Sequence, residues 1–150
     1  MPTQPDHDPA FTAAMREMSR AHVADIWRRG QAGEVFTGED QSFYQAMKVH
    51  PEYVEFWERA AELSGKDVTV DGVNPYLHAS LHSVIERQIA ETGPPETEQA
   101  VFRLTHAGLD RHEAVHRIAG LLSEFIYEMM KQKKPFDNAL YCRRLRALKP

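Results

Sequence analysis

Residues 110–135 read DRHEAVHRIAGLLSEFIYEMMKQKKP. Val115, Ile118, Ala119, Leu122, Phe125, Ile126 and Met129 recur at steps of three and four. That period lines one face of an α-helix, whereas a half-buried strand would alternate. Asp110 precedes the run, where a short polar side chain can accept from the first free backbone N–H groups. Pro135 follows it, where the missing N–H and the ring stop a helix. The pattern predicts a helix over 111–133, the longest in the chain, and sets the expectation for the rest.

Working outward, the same logic repeats. At the N-terminal end, Asp8 and Pro9 stand as N-cap and first helical residue, Met15, Met18, His22 and Ile26 form a stripe, and Gly30 marks a stop. Further helices are predicted over 39–49 and 50–63, the latter opening at Pro51 and turning Tyr53, Phe56, Trp57 and Ala60 inward. The stretch SGKDVTVDGV reads as a loop, because one short alternation does not make a sheet. NPYLHASLHSVIERQIAETG, residues 74–93, opens with Asn74 as cap and Pro75 in the first turn, with Leu77, Leu81, Val84, Ile85 and Gln88 on its inner face. Gly93-Pro94-Pro95 breaks the chain, a helix follows over 96–106 to Gly108, and a last one over 137–148 is capped by Asp137. No repeat, low-complexity tract or linker interrupts this. The expectation is an all-α, single-domain helical bundle of six to seven helices over residues 1–150, with 1–8 a disordered tail.

Composition limits the function classes. A chain of 150 residues that is 42% hydrophobic and 27% charged is ordinary for a folded domain. The net charge of -4 offers no overall basic field, and Lys131, Lys133, Lys134, Arg143, Arg144, Arg146 and Lys149 read as solvated helix ends and faces, so no nucleic-acid partner is expected. The single cysteine, Cys142, excludes an internal disulfide and a CxxC zinc site. The start MPTQPDHDPAF lacks the basic and apolar segments of a signal peptide, and no stretch reaches transmembrane length. A cytoplasmic location without a membrane partner is expected.

The eight histidines carry most of the remaining information. His78 and His82 are four apart on one predicted helix, as are His112 and His116 on another. Four residues are about 40° of rotation and about 6 Å of rise, so each pair leaves one face and can chelate one ion. Both pairs sit in the first two turns of their helices. Four imidazoles with few carboxylates suit a divalent transition metal, zinc or iron first. On helical wheels, however, both pairs fall on the same flank of their apolar stripes, so convergence needs a large crossing angle or a diagonal contact. His7, His22 and His106 lack a partner at ligand spacing. His50, before Pro51, reads as a capping or turn residue, with a fifth-ligand role left open. Glu86 extends the first ladder by a turn that has rotated toward solvent.

His112-Glu113-Ala114-Val115-His116 also spells the H-E-x-x-H of zinc proteases. Asp110 to Glu113 gives a simpler reading as a capping box, Asp110 accepting from the helix start and Glu113 reaching back. Glu124 and Glu128 fall opposite the apolar face, and no sheet is predicted to align a peptide. The spacing therefore supports a metal site and names no reaction.

NPYLHASLH, RHEAVH and KPFDNALYCRRLRAL, together with HPEY at His50 to Tyr53, resemble a bacterial family termed domain of unknown function 1841, well over Asn74 to Leu148 and loosely before it. The resemblance implies a small helical cytoplasmic protein and points to the same four histidines, His78, His82, His112 and His116. It attaches no activity to them. Three readings follow: a metal centre with an open position, capable of metal-dependent hydrolysis; a non-enzymatic interaction module or homodimer, using the aromatics Phe43, Tyr44, Tyr53, Phe56 and Trp57; and a structural metal staple.

Overall fold

The computed structural model describes residues 9–150, with side chains from Arg20 onward, and is all-α. The expected cap at Asp8, the tail 1–8, His7, and the side chains of Met15 and Met18 lie outside the described residues. Seven α-helices follow in order: α1 (Pro9–Gln31), α2 (Gly38–Lys48), α3 (Val54–Glu58), α4 (Pro75–Glu91), α5 (Pro95–His106), α6 (Arg111–Gln132) and α7 (Asn138–Ala147). The described residues form no strand, only an isolated bridge between Val70 and Val73. No described helix is long and apolar enough to cross a membrane. The chain divides into two compact units, Met1–Ser80 and Leu81–Pro150, with the boundary inside α4.

In the first unit, Val23, Ile26, Trp27, Phe36, Met47, Trp57, Ala60, Tyr76 and Ala79 make the core. Polar atoms buried there are tied to backbone, as burial demands. Trp57 Nε1 donates to the Met47 carbonyl at 3.2 Å, and the Tyr76 hydroxyl to that of Phe56 at 2.8 Å. Arg20, also buried, lays its guanidinium over the Tyr76 ring and donates to the Leu63 carbonyl. Phe43, Tyr44, Tyr53 and Phe56 pack half-buried against this core. The segment 50–63 departs from the single helix expected: a 3-10 turn at Pro51–Tyr53 leads into a five-residue α3, and turns follow.

In the second unit, Ile85, Ala100, Leu104, Val115, Ile118, Leu121, Leu122, Tyr141 and Leu145 form the core. Gln88 Oε1 accepts from Thr97 Oγ1 at 2.8 Å and from the Tyr141 hydroxyl at 3.0 Å, tying α4, α5 and α7. Arg103 donates to the carbonyls of Leu145 and Leu148 at the end of α7, where helical carbonyls lack partners. Cys142 is buried in α7, which pushes its thiol upward. The expected caps are present: Asn74 Oδ1 accepts from Tyr76 N and Leu77 N, Asp110 from Glu113 N, and Asp137 from Leu140 N.

Gly30 does not stop α1, which continues to Gln31, and Gly33, at φ 92°, takes the left-handed turn beyond it. Gly30 is instead a close approach. A Cβ there would stand 2.2 Å from Tyr44 Cε2, on a ring packed edge-on against Phe36. Alanine would gain up to about 1 kcal/mol of helix propensity, against about 1–3 kcal/mol for overpacking. Gly30→Ala is expected to lower the denaturant midpoint in the native chain. The same change in a Tyr44→Ala background should raise it, and equal effects in both backgrounds would refute the contact.

Candidate metal centre

Rotation of α4 about its axis decides what the site can be. Leu77 and Val84, expected inside, are exposed at 54% and 38%, while Tyr76, Ala79, His82, Ser83 and Ile85 are buried. The inner face thus mixes apolar and polar residues, with His82, 3% exposed, between Ala79 and Ser83. The flank placement inferred from the apolar wheel does not hold for this helix.

In the second unit His82 meets the two histidines of α6. Its ring centroid lies 5.3 Å from that of His112 and 5.5 Å from that of His116, and those two lie 4.0 Å apart. His112 and His116 also offer ring nitrogens within 4.8 Å of each other. Both are half-buried, one turn apart on the stripe that carries Ala114, Val115, Ile118 and Ala119 inward. Three of the four histidines expected at the site are therefore gathered by two helices of one unit.

The fourth, His78, precedes His82 by one turn on the unbroken α4. In the first unit its ring meets His50, read from the sequence as a capping or turn residue with a fifth-ligand role left open. His50 does stand at the N-cap of the 3-10 turn, where its carbonyl accepts from Tyr53 N at 3.0 Å, but its side chain makes no cap bond. It is 1% exposed, with Nδ1 2.7 Å from the Ala46 carbonyl and Nε2 2.9 Å from His78 Nε2. No local spacing signals this pairing, because the partners are 28 residues apart. The sequence marks His50 only through its place before Pro51 and within the family-like HPEY.

Glu86, one turn beyond His82, is held by Arg111: Nη1 and Nη2 donate to its two carboxylate oxygens at 2.6 and 2.8 Å. The carboxylate in turn holds the Arg111 guanidinium above its ordinary range. This forked pair joins α4 to the first residue of α6, beside His112, so Glu86 acts as a brace. Glu113 is exposed and its N–H is capped by Asp110, as expected of a helix start. Of the remaining histidines, His22 lies 3.0 Å from Asp40, and His106 stacks on Phe102 at the surface.

Arg111 is half-exposed, so its pair with Glu86 is worth at most about 1 kcal/mol. Arg111→Ala is expected to lower the urea midpoint by a corresponding amount in dilute buffer. In about 1 M salt, where the screening length falls to about 3 Å, the difference should shrink. A loss unchanged by salt would show that packing of the aliphatic stem, rather than charge, is what the residue contributes.

No curated protein and no solved structure matches the chain. The family described as Domain of unknown function (DUF1841) matches residues 15–147, which takes in every helix from α2 to α7 and all five of these histidines, and the chain belongs to that family.

Proposed function

We propose that the protein binds a divalent transition metal ion through His78, His82, His112 and His116. The observation that carries the reading is the gathering of His82, His112 and His116 within one unit. An imidazole bound at about 2.0–2.1 Å puts its ring centroid about 3 Å from the ion, so neighbouring ligands have centroids roughly 4.5–5.5 Å apart. Two of the three separations, 5.3 and 5.5 Å, fall there, and the 4.0 Å pair is slightly tighter. His78 joins on helical grounds, leaving α4 on the side of His82 one turn earlier.

The chemistry of the donors favours zinc or iron over magnesium or calcium, which prefer oxygen. An ion held by imidazoles with one position open lowers the pKa of a bound water to about 7 and could serve hydrolysis. A protease is disfavoured: no sheet edge among the described residues would align a peptide. The aromatics that suggested an interaction module pack on the core of the first unit, which leaves the histidines as the stronger lead.

The chain purified without a polyhistidine tag is expected to carry or take up about one equivalent of zinc, cobalt or iron. His82→Ala and the double variant His112→Ala/His116→Ala should each weaken uptake at least about tenfold. Less than about one-tenth equivalent, with no uptake on titration, would end the metal reading. Protons compete with metal for imidazole nitrogen, so affinity should fall from about pH 7.5 to about pH 5.5. A chelator that strips the ion without lowering the melting temperature separates a functional centre from a structural staple. Metal-dependent cleavage of activated esters, lost on chelation, is the measurement for hydrolysis.

A further inference from the structure

We propose that the Glu86–Arg111 pair sets which metal ions the centre accepts: by holding the carboxylate, Arg111 keeps an oxygen donor from the ion and selects for metals that prefer nitrogen. The inference rests on the metal reading above and uses only its ligands in the second unit. Those ligands, His82, His112 and His116, share Leu81–Pro150 with Glu86 and Arg111.

Position comes first. Glu86 follows His82 by four residues on α4, so its side chain leaves the same face about 6 Å further along. A histidine and a glutamate at that spacing can chelate one ion, as two histidines can. The Glu86 side chain is turned into the protein, with 22% of it exposed. Arg111 reaches it from the position just before His112. Each end of the pair therefore adjoins a histidine of the centre, one on each helix.

The bonding decides what the carboxylate can do. Both of its oxygens accept from the guanidinium, at 2.6 Å from Nη1 and 2.8 Å from Nη2. Parallel bonds of this kind combine strength with a fixed geometry. A metal ion would have to displace a cation to claim either oxygen, and a guanidinium does not shed its proton in a protein.

Charge supplies the second argument. The pair sums to zero, so neutral imidazoles meet the ion without a net charge beside them. Manganese and magnesium gain little from such a set, whereas zinc, cobalt and iron bind imidazole well. Removing Arg111 would hand the site an anionic oxygen donor. Removing the Glu86 charge would leave a bare guanidinium beside His112, repelling any cation. The two changes push manganese affinity in opposite directions. A brace that only held the helices together would lose affinity by either route.

The test uses the full untagged chain. Manganese(II) is titrated by electron paramagnetic resonance, in which the signal of the free ion disappears on binding, and zinc by competition with a chromophoric chelator. Partly exposed ion pairs add little stability, and Arg111→Met keeps the aliphatic stem, so the variants are expected to fold. Arg111→Met is expected to strengthen manganese binding at least about tenfold and to change zinc binding less. Glu86→Gln is expected to weaken both metals about tenfold. Glu86→Gln/Arg111→Met, with neither charge, should bring both affinities back to within about threefold of the native chain. Manganese binding by Arg111→Met that falls, or stays within about twofold of native, would overturn the proposal while native zinc uptake leaves the metal reading in place. A manganese gain that persists in the double variant would also overturn it, because Glu86 would not be its source. No zinc or cobalt uptake by the native chain would remove both.

Discussion

An imidazole buried on α4 must be given partners for its two ring nitrogens, and much of the local structure follows from that constraint. His82 occupies the centre of a helix face whose other members, Ala79 and Ser83, are small. Small neighbours let α6 bring His112 and His116 against the ring in the second unit. Leu77 and Val84 are turned outward as a consequence, at the cost of apolar area left in water. The Glu86–Arg111 fork then holds α4 to the start of α6. Glu86, one turn from His82, is thereby taken up by a guanidinium and faces no histidine as a free carboxylate.

What the chain shows to a reader of sequence is mostly what is local. Asn74, Asp110 and Asp137 cap their helices through bonds spanning two or three residues, so short motifs find them. The stripe of α6 is legible because its apolar residues are the buried ones. On α4 the same counting holds for Leu81, Ile85 and Gln88 and fails for Leu77 and Val84, which lie outside while a histidine and a serine lie within. Gly30 misleads for a related reason: glycine marks either a stop or a close approach, and only Tyr44, fourteen residues on, distinguishes them. The helix expected over 50–63 is broken because Pro51 and the packing of Trp57 favour a 3-10 turn and a short α3.

The site divides along the same line. The i, i+4 spacing of His112 and His116 announces a chelating pair, and the structure keeps them together. His50 has no such spacing to any histidine. Its place depends on the end of α2, where the Ala46 carbonyl lies within reach of its ring, and on a contact with His78 that only folding creates. Sequence spacing pairs histidines that share a helix, whereas a histidine carried by a turn gains its neighbours only through tertiary structure.

Energetics give the histidines their weight as a functional lead. A leucine at position 82 would contribute about 1.5–3 kcal/mol of apolar burial. An imidazole contributes less and adds a demand, because a buried polar group left unsatisfied costs about 1–3 kcal/mol. His50, at 1% exposure, repeats the choice in the first unit. Elsewhere the buried polar groups of Thr97, Trp57 and Arg20 are bonded to fixed partners. Sequences tend to depart from the stabilising choice where function requires it. Two buried imidazoles, each facing further histidines, are such a departure.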